Sequence, residues 1–233
     1  MARLILVYGQ PAAGKTFALK TLDPKKTVII DGDRKGALPW RGWKNNYSAE
    51  LKNFFPATSL DKTISLIEHV AKSDDYKHIT TLVVDGLNNI MSIEDTAAYF
   101  GKRPQYKNKF DVFEAIAQKT IWLIEIAKNY RADLYVVFNA HVKTADPYAT
   151  GEVDHLFTPG KSLESKKKIE GNFLYAFYAK VDADGKHYFE TCPINSTART
   201  PEGCFPPQIP NDMQYIIDTI NTYDIGEDTN VQP

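Results

Sequence analysis

Gly9-Gln10-Pro11-Ala12-Ala13-Gly14-Lys15-Thr16 meets every fixed position of the pattern G-x-x-x-x-G-K-[ST]. In that pattern, successive backbone N–H groups framed by two glycines cradle phosphates at the start of a helix. Lys15 is then placed to reach the β- and γ-phosphates of a nucleoside triphosphate, and the Thr16 hydroxyl to ligate Mg²⁺. Asp85 closes an apolar run and fits the carboxylate that orders the same cation. Gly86 follows it, where many phosphate-loop ATPases carry a glutamate that activates water, so the base must come from elsewhere or hydrolysis is slow. Asp31 and Asp33 follow another apolar run. Asp31 is the favoured base if its strand neighbours the first, Asp33 the second choice, and an Asx turn over Asp31-Gly32-Asp33 the structural alternative. Asn139 and His141, at the tip of a further apolar run, could contact the γ-phosphate and report it to the next loop, although a lone histidine is more often structural.

These groups need elements to hold them. Leu4–Tyr8 is a short buried strand leading into the phosphate loop, and Thr16–Leu22 has no breaker and reads as its helix. Thr27–Asp31, Ile79–Asp85 and Asp133–Phe138 read as further buried strands. Leu60, Ile64, Ile67 and Val70 recur at helical spacing, and a second helix spans about Leu87 to Phe100. The longest helix carries Phe110, Phe113, Ile116, Ile121, Ile124 and Ala127 as its core stripe. Residues 34–58 lack periodicity, and 143–168 are polar and rich in Gly and Lys. Strands near 173–182 and 186–192 flank an Asp184-Gly185 turn, and Asn211 and Gln214 have capping-box spacing ahead of the last helix. Alternation of strand and helix predicts an α/β fold, a mainly parallel sheet covered by helices on both faces, with a C-terminal hairpin and helix. Ligands of such sheets sit at the C-terminal strand ends, where every polar tip named above falls.

Composition narrows the rest. The chain has 233 residues, an ordinary apolar fraction and a formal net charge of −1, so any nucleic-acid binding must come from local patches. Cys192 and Cys204 fit neither a disulfide framework nor a zinc site. The opening apolar run is too short for a signal peptide or a span, so no membrane role and a cytoplasmic location are expected, in a bacterial host if the chain is phage-encoded.

The phosphate loop, the acid at the second strand's tip, Val83-Val84-Asp85 without a following Glu and the polar fourth tip together resemble a RecA-type core. With Ala198 to Gly203, Ile209 to Asp212 and a final helix, the chain resembles the phage nucleotide-binding P-loop proteins that include minimal single-strand annealing proteins. The likeness covers most of residues 2–222. It implies one RecA-like ATPase domain over 1–222 and a disordered tail over 223–233. It further implies ATP and Mg²⁺ as cofactors, homo-oligomers (ring or filament) with ATP at the subunit boundary, single-stranded DNA as partner and an accessory single-strand-binding protein as a further one. Under it, Lys102, Arg103, Tyr106, Lys107 and Lys109 form one DNA loop, and Lys161, Lys166, Lys167 and Lys168 belong to a second. A lysine run is also simply a solvated face. One of those lysines, or Arg199, could instead reach a neighbour's γ-phosphate as a trans-acting finger. The implied activity is ATP-driven assembly on single-stranded DNA that promotes annealing or strand pairing. Its rivals are an AAA-type loader or remodeller of a protein such as a replicative helicase, and a small-molecule kinase.

Overall fold

The computed structural model of the chain describes residues 1–101, 108–148, 150–158 and 169–226. The apolar runs form strands β1 (Arg3–Gly9), β2 (Thr27–Asp31), β3 (Phe54–Pro56), β4 (Thr81–Asp85), β5 (Tyr135–Lys143), β6 (His155–Leu156), β7 (Tyr175–Val181), β8 (His187–Glu190) and β9 (Gln208–Pro210). Helices α1 (Leu60–Lys72), α2 (Leu87–Tyr99), α3 (Lys109–Lys128) and α4 (Met213–Asp224) cover them. Strand order is β3-β2-β4-β5-β1-β7-β8-β9, with β6 paired to β5. The path from β3 to β7 is parallel, and β8 and β9 add antiparallel at the far edge.

A parallel sheet must be covered twice, and alternation along each strand supplies both faces. Leu6, Tyr8, Ile30, Val84 and Phe138 meet α1, α2 and α3 on one side. Ile5, Val7, Ile29, Val83 and Phe177 meet Leu19, Met213, Ile216 and Ile220 on the other. Burying Ile216 and Ile220 contributes about 1.5–3 kcal/mol each, which ties α4 to the face beneath the phosphate loop. Among the described residues, no helix is long and apolar enough to cross a membrane.

Register brings the polar tips together. Gly9 stands beside His141, Asp85 beside Asn139, and Asp31 beside Asp85. The condition placed on β2 is not met, however: β4 and β5 separate it from β1.

Local differences have local causes. The segment after the phosphate loop is a single 3₁₀ helix, Phe17–Thr21, rather than an α-helix. Leu22 turns extended and Pro24 follows, which disfavours helical backbone at the preceding residue. In α3 the buried stripe runs through Val112, Ile116, Leu123, Ile124 and Ala127, while Phe110 faces outward at the exposed first turn. Asp212, not Asn211, caps α4 by accepting from the Tyr215 N–H, and the Gln214 side chain donates forward to Asp218 instead of reaching back. That helix continues past the expected boundary at 222, and Asp224 pairs with Arg3. Asn139 and His141 lie within β5, not beyond its end.

Candidate active site

The phosphate loop needs both its glycines. A Cβ on Gly9 would stand 2.5 Å from the Ala179 carbonyl of β7, and Gly14 has φ +90° with the His187 ring and Asn211 amide against it. The loop turns through Ala12 at φ +64° and closes with Ala13 N–H donating to Gln10 O at 3.2 Å. Lys15 lies folded over the loop, its Nζ donating to the Gly9 and Gln10 carbonyls at 2.9 and 2.8 Å. Burial brings its pKa down to about 8, against the opposing pull of Asp85 and Asp33. A phosphate chain entering the loop would supply the charge that this buried ammonium lacks.

Thr16 and Asp85 meet across the sheet. The hydroxyl donates to both carboxylate oxygens, at 2.9 and 3.1 Å, and Asn139 Nδ2 donates to Asp85 Oδ1 at 2.8 Å. Burial pushes the Asp85 carboxyl up to about 6, even though both hydrogen bonds pull it down. The buried Asn139 Oδ1 has no partner. One carboxylate, one hydroxyl and one amide oxygen form a hard, oxygen-only set, and Mg²⁺ characteristically takes one or two carboxylates and completes its shell with phosphates and water. The residues therefore fit that ion. Among the described residues no cluster of three His, Cys, Asp or Glu competes for a metal.

The two acids of β2's tip are placed differently. Asp31 is buried and accepts from the Gly36 N–H at 2.8 Å, closing the turn that leaves the strand, and it does not line the cleft. Asp33 does line it. Its carboxylate accepts from Lys35 Nζ at 2.5 Å and from Asn89 Nδ2. Gly86 explains the missing glutamate. It has φ +93°, and a Cβ there would run into the Asp33 carboxylate. Asp33 occupies the room beside Asp85 that a side chain at position 86 would otherwise take. Gly32 is equally constrained, since its N–H donates to Asp85 O at 2.6 Å and a Cβ would meet that carbonyl.

A cavity of about 350 Å³ joins these groups, running past Lys15, Thr16, Asp33, Asp85 and His141 to His187. His141 has a buried, unpartnered Nδ1, and burial first and Lys15 second push its pKa down, against the pull of Asp33. Sequence reasoning missed Lys35, Asn88, Asn89, His187 and Asn211. Asn88 accepts from the His141 N–H at 2.5 Å and donates to Phe157 O. The only sequence cue to any of these was Gly86 itself, a glycine where a functional side chain was expected.

Arg199 bonds within its own fold through its guanidinium. Its Nε donates to Phe173 O at 2.9 Å, its Nη2 to Glu170 O, and its backbone bridges Ala176. These bonds tie it to the fold. Lys102, Arg103, Tyr106 and Lys107 of the first basic loop, and Lys161, Lys166, Lys167 and Lys168 of the second, lie outside the described residues, as does the tail from 227 onward. Lys109 opens α3, and its side chain is likewise not described.

The sheet, the loop at the tip of a central strand and the Thr16–Asp85 pair define a P-loop NTPase. The sequence matches the family model described as an AAA domain over residues 1–200, and the chain belongs to that family. It is a nucleotide-binding ATPase. No curated protein matches the chain.

Proposed function

We propose that the chain is a Mg²⁺-dependent, RecA-like ATPase that assembles as a homo-oligomer on single-stranded DNA, uses ATP as its assembly switch and promotes annealing or strand pairing. Asp33 serves as the base. The attacking water adds in line to the γ-phosphorus and passes a proton to the Asp33 carboxylate as the bond to the β-bridging oxygen breaks, releasing ADP and phosphate. Lys35 and Asn89 orient that carboxylate. Lys15 and the loop N–H groups hold the triphosphate, and Thr16 and Asp85 would hold Mg²⁺, which supplies charge neutralisation at the β- and γ-phosphate oxygens when bound.

The observation that carries the DNA reading is the pair of rims around the basic segment 101–109. Tyr99 and Phe100 at the end of α2, and Phe110 at the start of α3, are 85, 69 and 85% exposed. Exposed aromatics interleaved with lysine and arginine suit stacking of unpaired bases between phosphate contacts. The site is also wired to the root of the second basic segment. Gln10 Nε2 of the phosphate loop donates to Thr144 Oγ1 at 2.7 Å, and Phe157 N–H donates to His141 O at 2.8 Å. A change in loop position on ATP binding would pull on residues 144–157.

ATP turnover with and without single-stranded DNA, with Lys15→Ala as the blank, tests this. Stimulation by single-stranded but not duplex DNA is expected. Turnover indifferent to both would overturn the DNA reading and favour action on a protein, as the match to an AAA domain also allows.

A further inference from the structure

The cleft has a second end, beyond the phosphate loop from Asp85. Along the strand tips the order is β4, β5, β1, β7, β8, so Asp85 and His187 stand on opposite sides of the loop, each two strands, or about 10 Å, from β1. His187 opens β8 and pairs with Val181 at the end of β7, which puts it at the same sheet edge as Asp85. It lines the cavity that holds Lys15 and Thr16. Its Nδ1 is buried, without a partner, and a Cβ on Gly14 would lie 3.0 Å from it. Asn211, between β9 and α4, packs on the other flank of that position with Nδ2 2.9 Å away, and both its amide atoms are buried and unpartnered.

Where the cation pair fixes the β–γ end of a triphosphate on the β4 side, the nucleoside must extend the other way. We propose that His187, packed like Asn211 against Gly14, contacts the nucleoside of bound ATP. The inference rests on the nucleotide reading of the phosphate loop and deepens it, because it gives the C-terminal hairpin a part in recognition. The β8 wall brings an aromatic ring with a buried, unpartnered nitrogen rather than a lysine or arginine, which suits a base or ribose better than another phosphate.

The test compares affinities for ATP and for inorganic tripolyphosphate, both with Mg²⁺, in the full chain and in Lys15→Ala, His187→Ala and His187→Gln. A role confined to packing the loop would weaken both ligands alike, whereas a nucleoside contact weakens only ATP. The expected result is about a tenfold loss of ATP affinity in His187→Ala with tripolyphosphate unchanged to within about twofold. His187→Gln, which keeps a polar side chain of similar reach, should recover part of that loss. Equal losses for the two ligands, or no loss for either, would overturn the proposal. Tripolyphosphate binding that survives Lys15→Ala would instead overturn the phosphate-loop assignment, and the proposal with it.

Discussion

The two ends of the cleft are built by opposite means. On the β4 side, two carboxylates, a threonine, a lysine and two asparagines bond one another within a few ångströms: Thr16 and Asn139 on Asp85, Lys35 and Asn89 on Asp33, with Asn139 Oδ1 left over. On the β8 side, His187 and Asn211 leave buried polar atoms unpartnered against Gly14 and, among the described residues, bond to no carboxylate or lysine. The first end suits, in the function proposed above, charge that develops during phosphoryl transfer. The second, where the nucleoside contact is proposed, holds buried groups that cost about 1–3 kcal/mol each when unpaired and gain most from a new partner.

Removing what the two ends share should have the largest effect. Lys15→Ala should weaken ATP binding more than about 100-fold, measured by calorimetry, while the thermal unfolding midpoint holds or rises because a buried ammonium is lost. Asp85→Asn breaks only the charged end. Mg²⁺ should then no longer strengthen ATP binding, yet the nucleotide-free chain should become more stable at pH 7. A free carboxyl titrates near 3.9, and the folded Asp85 near 6. Between those values the folded state binds the extra proton, so stability falls as pH rises from about 4 to about 6. At about 1.4 kcal/mol per pH unit, the loss reaches roughly 3 kcal/mol at neutral pH. Melts from pH 4.5 to 7 should show this slope in the unmodified chain and its absence in Asp85→Asn.

Two glycine variants sharpen the comparison. Gly86→Ala and Gly14→Ala both force a Cβ into a positive-φ site, at a cost of about 1–3 kcal/mol each. The first presses on Asp33 and should lower turnover with ATP affinity retained; the second presses on His187 and Asn211 and should lower ATP affinity. Equal effects on binding and turnover in both would erase the distinction between the ends. The smallest effect on the ATP site itself should come from replacing Tyr99, Phe100 and Phe110 with Ser. Each stacked base lost should cost about 1–3 kcal/mol of single-stranded DNA affinity, read by fluorescence anisotropy, with unfolding shifted by no more than about 0.5 kcal/mol.

Much of the charged end was legible beforehand. Its residues sit on strand tips after apolar runs, and Gly9–Thr16 and Val83-Val84-Asp85 carry local signatures. That Asp33 lines the cleft and Asp31 does not was not, because it depends on how the chain turns after β2, where the Asp31 carboxylate accepts from the Gly36 N–H. The β8 end was illegible. His187 and Asn211 reach Gly14 only because β7 joins the parallel sheet beside β1 and draws β8 and β9 after it, a long-range pairing with no local mark. Capping and core stripes failed by a residue or two, at Asn211 and Phe110, where side-chain direction decides between neighbouring positions.

The central claim is that Asp33 supplies the carboxylate which the Asp85-Gly86 sequence lacks. Single-turnover hydrolysis at saturating ATP, in Asp33→Asn and Asp31→Asn side by side, tests it most directly. Asp33→Asn should bind ATP with little change and hydrolyse it about 100-fold or more slowly, the usual scale of a lost general base. Asp31→Asn should cleave ATP near the normal rate and lose about 1 kcal/mol of stability with its bond to Gly36. Hydrolysis that survives in Asp33→Asn and disappears in Asp31→Asn would contradict the account.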